Sequence, residues 1–184
     1  MLERYFIEHC SPTLASLKTA SLFTYICNSD CDLIRQVQAW NHSFQAKGLS
    51  LVVLRRRQER ALLYVYRKSS LHHDLCSPGV ARFLSSYGYD DIHNTDAALE
   101  RLKNRLSDSE VFPHEIGVFL GYPLGDVIGF IQNAGQNCKC TGCWKVYCNE
   151  CEVVRLFEKY QKCRDVYLRL WNQGKSVLQL TVAA

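Results

Sequence analysis

With 184 residues, 47% of them hydrophobic and 22% charged, the chain is long enough to bury one core without disulfide staples, and a single domain over 1–184 is expected. No apolar run approaches the roughly 20 residues of a membrane span. A net charge of +4, without interleaved aromatic and basic residues, argues against nucleic-acid binding.

The opening MLERYFIEHC lacks a signal-peptide pattern, so a cytoplasmic protein with reduced cysteines is expected. The Ser-Pro pair of SPTLASLKTASLFTYI reads as a helix start, with Leu14, Leu17, Ser21 and Leu22 on one face. That reading puts Cys10 just ahead of a helix N-terminus. Residues 30 to 46 place Leu33, Val37, Trp40 and Phe44 at helical spacing and stop at Gly48. Strands at 49–56 and 61–67 flank the run RRR, a solvated hairpin end. Short helices follow at 78–87 and 95–106.

HEIGVFLGYP reads as a strand with His114 at its head. PLGDVIGFIQNAG is a helical pattern in which two internal glycines, Gly125 and Gly129, imply close backbone packing, and WKVY is strand-like. Residues 150 to 172 form a long amphipathic helix with Val153, Leu156, Phe157, Tyr160, Tyr167 and Leu170 inward, closed by Gly174. SVLQLTVA reads as a last strand. Strands and helical blocks without a repeating strand–helix unit predict an α+β fold, an antiparallel sheet packed with helices.

Five of the ten cysteines crowd into NCKCTGCWKVYCNEC: Cys138, Cys140, Cys143, Cys148 and Cys151. Cys140 with Cys143 and Cys148 with Cys151 form two CxxC pairs, the alternative of a metal-binding or redox-responsive protein. Only WKVY separates the pairs, whereas zinc ribbons space theirs by about 15 to 20 residues. Reduced thiols are the simpler account, and no cofactor is expected.

A thiol at a helix N-terminus is acidified by the helix dipole and can borrow unpaired amides as an oxyanion hole. A histidine beside it completes its activation. Cys10 and His114 are the expected nucleophile and base, with Asp126 or Asn149 holding the imidazole. Glu115 would point to the opposite face of a strand from His114. His72 and His73 with Asp74 form a competing acid–base group that reads better as surface. His9 would face away from Cys10 in an extended segment, and Lys18 and Tyr122 are further candidates to line a pocket.

A cysteine opening a helix near the N-terminus, with a downstream histidine heading His114 to Tyr122, resembles papain-like cysteine peptidases. HCSPTLASLKTASLF, FPHEIGVFLGYPLGDVIGFI, GCWKVY and SVLQLTVA together resemble the domain of unknown function 3793 family, found mainly in clostridia. The chain is also similar to protease-like amide-forming enzymes of the kind that build the antibiotic closthioamide. That resemblance implies a papain-like layout and a Cys10 acyl-enzyme. Its acyl group would come from a carrier-protein thioester and pass to a small amine.

Overall fold

The computed structural model describes residues 2–108 and 111–183. Helix α1 (Leu2–Leu14) forms because Leu2, Phe6, Ile7, Cys10 and Leu14 recur at helical spacing and all are buried. Strand β1 (Ala20–Ile26) follows, then α2 (Asp30–Phe44), which runs through a 3₁₀ turn to Gly48 in the left-handed region at φ 69°. Strands β2 (Leu49–Arg57) and β3 (Arg60–Arg67) form a hairpin. The sheet order is β1-β3-β2, antiparallel throughout.

Strand alternation divides the molecule into two cores. Phe23, Leu51, Leu63 and Val65 face α1, α2 and the C-terminal helices. Leu22, Val52, Tyr64 and Tyr66 face the middle of the chain. That second side holds α3 (Lys68–Cys76), α4 (Pro78–Ser85), α5 (Thr95–Asp108), α6 (Ile116–Phe119) and α7 (Leu124–Gln132). A two-stranded ribbon, β4 (Cys140–Thr141) and β5 (Lys145–Val146), precedes α8 (Glu150–Asn172) and α9 (Val177–Leu180). The fold is α+β, a three-stranded antiparallel sheet packed against helices. No described helix is long and apolar enough to cross a membrane.

Buried Arg67 locks the ends of the chain to the sheet. Its Nε donates to Thr13 O at 2.7 Å, and its Nη2 donates to Leu14 O at 2.7 Å and Val182 O at 2.9 Å.

Four predicted elements differ. The helix read over SPTLASLKTASLFTYI gives way to strand β1, so Ser21 and Leu22 point to opposite faces of the sheet instead of sharing a helix face. The first helix begins at residue 2 and holds Pro12 in its last turn, where a missing N–H costs one bond rather than a helix. Residues 116–119 are helical, not extended. Ile116 to Leu120 are all buried, so there is no two-residue alternation for a strand to satisfy, and Leu120 N donates to Ile116 O at 3.0 Å. Gly121, at φ +73°, then turns the chain, and a Cβ there would lie 2.8 Å from Thr19 Oγ1. The last segment is α9, started by a capping box between Ser176 and Gln179.

Candidate functional site

The site is built where α7 grips the ribbon. Asp126, in the first turn of α7, is buried. Its carboxylate accepts from Trp144 Nε1, Tyr147 N and Cys148 N, each at 2.8 Å. Three donors and the helix dipole suit a buried carboxylate. Trp144, so held, stacks on Tyr122 at 4.5 Å and meets Phe157 of α8 edge-on at 4.6 Å. Between the two strands the tip lies so close to α8 that a Cβ on Gly142 would collide with the Phe157 ring. Asp126, Trp144 and Gly142 therefore fix the place of Cys143, which is exposed at that tip.

Two cavities meet at Cys143 and Tyr122. The first, of about 320 Å³, is mostly apolar, lined by Leu22, Ile116, Leu120, Val127, Phe130 and Trp144, with His114 also in its wall. The second, of about 160 Å³, is polar and includes His9, Lys18, Ser21, Tyr160 and Arg164. Arg164 Nη2 lies 3.9 Å from Cys143 Sγ. Lys18 Nζ sits 5.1 Å over the Tyr122 ring. Burial lowers Lys18 to about 8, although the Cys143 and Cys10 thiols pull it back up. Burial pushes Tyr122 and Tyr160 up to about 12, so both stay neutral hydroxyl donors.

Cys10 lies elsewhere than expected. It occupies the third turn of α1, not its tip, with no solvent exposure. Burial raises its thiol to about 12 against the pull of Lys18 and a hydrogen bond with Ser21. It forms the layer beneath the Lys18 and Ser21 wall of the polar cavity. His114 is exposed in the turn before α6 instead of heading a strand, and its ring packs on Phe130 at 4.9 Å. Asp126 shares the apolar cavity with His114, but the bonds it accepts all come from the ribbon. Asn149 caps α8 in a left-handed conformation with no side-chain cap bond, away from both cavities. The four residues do not assemble as a triad.

Glu115 is buried, receiving bonds from Arg105 and, at 3.2 Å, from Tyr89 Oη; it anchors the turn that carries His114. His72 and His73 are exposed on α3, and Asp74 accepts from Thr19 Oγ1 at 2.5 Å. Lys18 and Tyr122 do line the cavities. Arg164 was missed, because its place on the polar side of a long amphipathic helix looks like any solvated charge.

The cysteine cluster is spread out by the ribbon. Cys138 pairs with Thr141 Oγ1 at 3.5 Å, Cys148 packs against Gly125, and Cys151 is exposed on α8. Among the described residues, no three His, Cys, Asp or Glu side chains are placed to hold a metal ion. Cys140, Cys143, Cys148 and Cys151 thus do not converge.

A family described as "Protein of unknown function (DUF3793)" matches residues 6–181. No curated protein and no solved structure matches the chain.

Proposed function

The chain belongs to the DUF3793 family, and from that premise and its geometry we propose that it is a cysteine-dependent acyltransferase that forms amides. The nucleophile is Cys143. The observation that carries this reading is an exposed thiol at the junction of an apolar and a cationic cavity, with Arg164 Nη2 3.9 Å from its sulfur. Negative charge developing on Sγ is met there by Arg164 and Lys18 in a partly desolvated setting, where charge compensation is strongest.

The donor is an acyl thioester, as on a carrier protein, with its acyl chain in the apolar cavity. Sγ gives its proton to His114 and attacks the thioester carbonyl. The C–S bond to the carrier breaks, and the carrier leaves as a thiol after taking that proton. The small amine then attacks the Cys143 thioester, the new C–N bond forms, and the C–S bond to Cys143 breaks. The extra ammonium proton passes to His114, returning Cys143 as nucleophile. Apolar walls of Leu22, Val127, Phe130 and Trp144 limit water, which favours aminolysis over hydrolysis. The logic resembles that of protease-like amide-forming enzymes, with the thiol on a ribbon tip instead of a helix.

The test is turnover of an acyl N-acetylcysteamine thioester with a panel of amines, followed by product mass. Amide formation that disappears in Cys143→Ala is expected. Undiminished amide formation in Cys143→Ala, or no turnover by the wild type with any donor, overturns the reading.

A further inference from the structure

The second cavity joins charges that nothing in the fold neutralises. Lys18 comes from the loop after α1 and Arg164 from α8, yet they share one small space with His9, Ser21, Tyr160 and Cys143. Among the described residues, no Asp or Glu lines that space, and neither cation has a carboxylate partner. Arg164 Nε is buried with no hydrogen-bond partner, and Lys18 Nζ lies over the face of Tyr122. Bringing two cations together out of water without an anion is unfavourable, and the lowered Lys18 records that cost. A bound anion relieves it, taking charge-assisted bonds from both cations.

Size and position narrow the anion. Cys143 is itself part of the wall, so the anionic group lies only a few bonds from the reacting carbonyl. The volume of about 160 Å³ suits a small anionic group. Its position beside Cys143 favours an anion on the acceptor over one at the far end of a long carrier arm. We propose that the cavity binds the carboxylate of the acceptor, so that the attacking amine belongs to a small amino acid. This rests on the acyl-transfer reading for the identity of the acceptor, while the anion pocket stands on the charges alone. The acyl chain then occupies the apolar cavity and the amino acid the cationic one, with Cys143 between.

The experiment needs no acyl transfer. Cys143 is alkylated with iodoacetate, an anion, and separately with iodoacetamide, its neutral analogue, and each site is read by peptide mass spectrometry. Free N-acetylcysteamine, a small neutral thiol, serves as the reference. The iodoacetate-to-iodoacetamide rate ratio at Cys143 is expected to exceed that of the free thiol by about tenfold, equivalent to about 1.4 kcal/mol, and to fall toward it in Lys18→Met and in Arg164→Gln. In the wild type at constant ionic strength, glycine is expected to protect Cys143 from iodoacetate, whereas methylamine does not. Equal ratios at Cys143 and the free thiol overturn the anion pocket. Protection by inorganic phosphate but not by glycine overturns the amino-acid acceptor. An intact anion preference in a protein that forms no amide sinks only the acyl-transfer reading.

Discussion

Cys10 and Cys143 show what burial and charge do to the same functional group. Cys10 is enclosed by α1 and the sheet with Phe6, Leu14 and Phe23 in one core, and its thiol is held neutral to about pH 12. Cys143 stands on a ribbon tip, open to two cavities and beside Arg164. Lys18 touches both settings, feeling the two sulfurs from one position. A nucleophile needs access as well as a favourable field, and only the second setting supplies both. Cys10 has the sequence neighbours of a reactive cysteine and the surroundings of a small core residue.

The sharpest way to break that contrast is to remove each thiol. Cys143→Ala is expected to reduce amide formation by on the order of a thousandfold or more, since it removes the group proposed to carry the acyl chain. Cys10→Ala should leave kcat within about threefold while lowering stability by about 1 kcal/mol through a small cavity. Product assays on both variants, with thermal melts alongside, check this. The reverse pattern assigns the chemistry to Cys10.

Next in size is the support of the ribbon. Asp126→Asn keeps the shape but turns an amide N–H₂ toward either Trp144 Nε1–H or the two backbone donors. A cost of about 2 to 3 kcal/mol follows from the lost charged acceptor and the unpaired donor. Trp144→Phe removes one donor, so the Asp126→Asn cost measured in that background should be smaller by about 1 kcal/mol. Denaturant unfolding of the four proteins reads the cycle, and equal costs in both backgrounds would break the link between Asp126 and the ribbon tip.

Lys18 provides the smallest effect and a pH signature. Its pKa is about 8 in the folded chain, against an ordinary value of 10.5. Between these values the unfolded chain binds more protons, so stability rises with pH across the window and the full cost is present below about pH 8. Lys18→Met should therefore stabilise the protein by about 1 to 2 kcal/mol at pH 7, allowing for screening of a half-buried group. The advantage should vanish toward pH 10.5. Melting temperatures from pH 6 to 10 test the slope, and a variant less stable than wild type at pH 7 contradicts the unpaired cation.

Much of the frame is legible in the sequence where one period dominates. Leu33, Val37, Trp40 and Phe44 mark α2, the β-rich apolar runs LVVL and ALLYVY mark the hairpin, and the apolar stripe of α8 runs from Val153 to Tyr167. The start of α1 was equally marked by Leu2, Phe6, Cys10 and Leu14, but Ser11-Pro12 is a competing start signal and Pro12 is tolerated in the last turn. The run from Ile116 to Leu120 is apolar at every position, and such a run fits a strand or a buried helix alike. The candidate site was less legible because its parts come from separate elements. Lys18 follows α1, Tyr122 follows α6, Cys143 joins β4 to β5, and Arg164 lies on α8. No local pattern records that these meet, whereas CxxC spacing is visible and drew Cys143 into a metal reading that the ribbon geometry does not support.

The most direct measurement is to trap the acyl-enzyme. The wild-type protein is mixed with an acyl thioester in the absence of amine, quenched in acid, digested, and mapped by mass spectrometry. An acyl group on the peptide containing Cys143, with Cys10 unmodified, is the predicted result. An acyl group on Cys10 would show that the helix opens to expose a thiol now sealed in the core, and would contradict the assignment of Cys143 as the group that touches substrate.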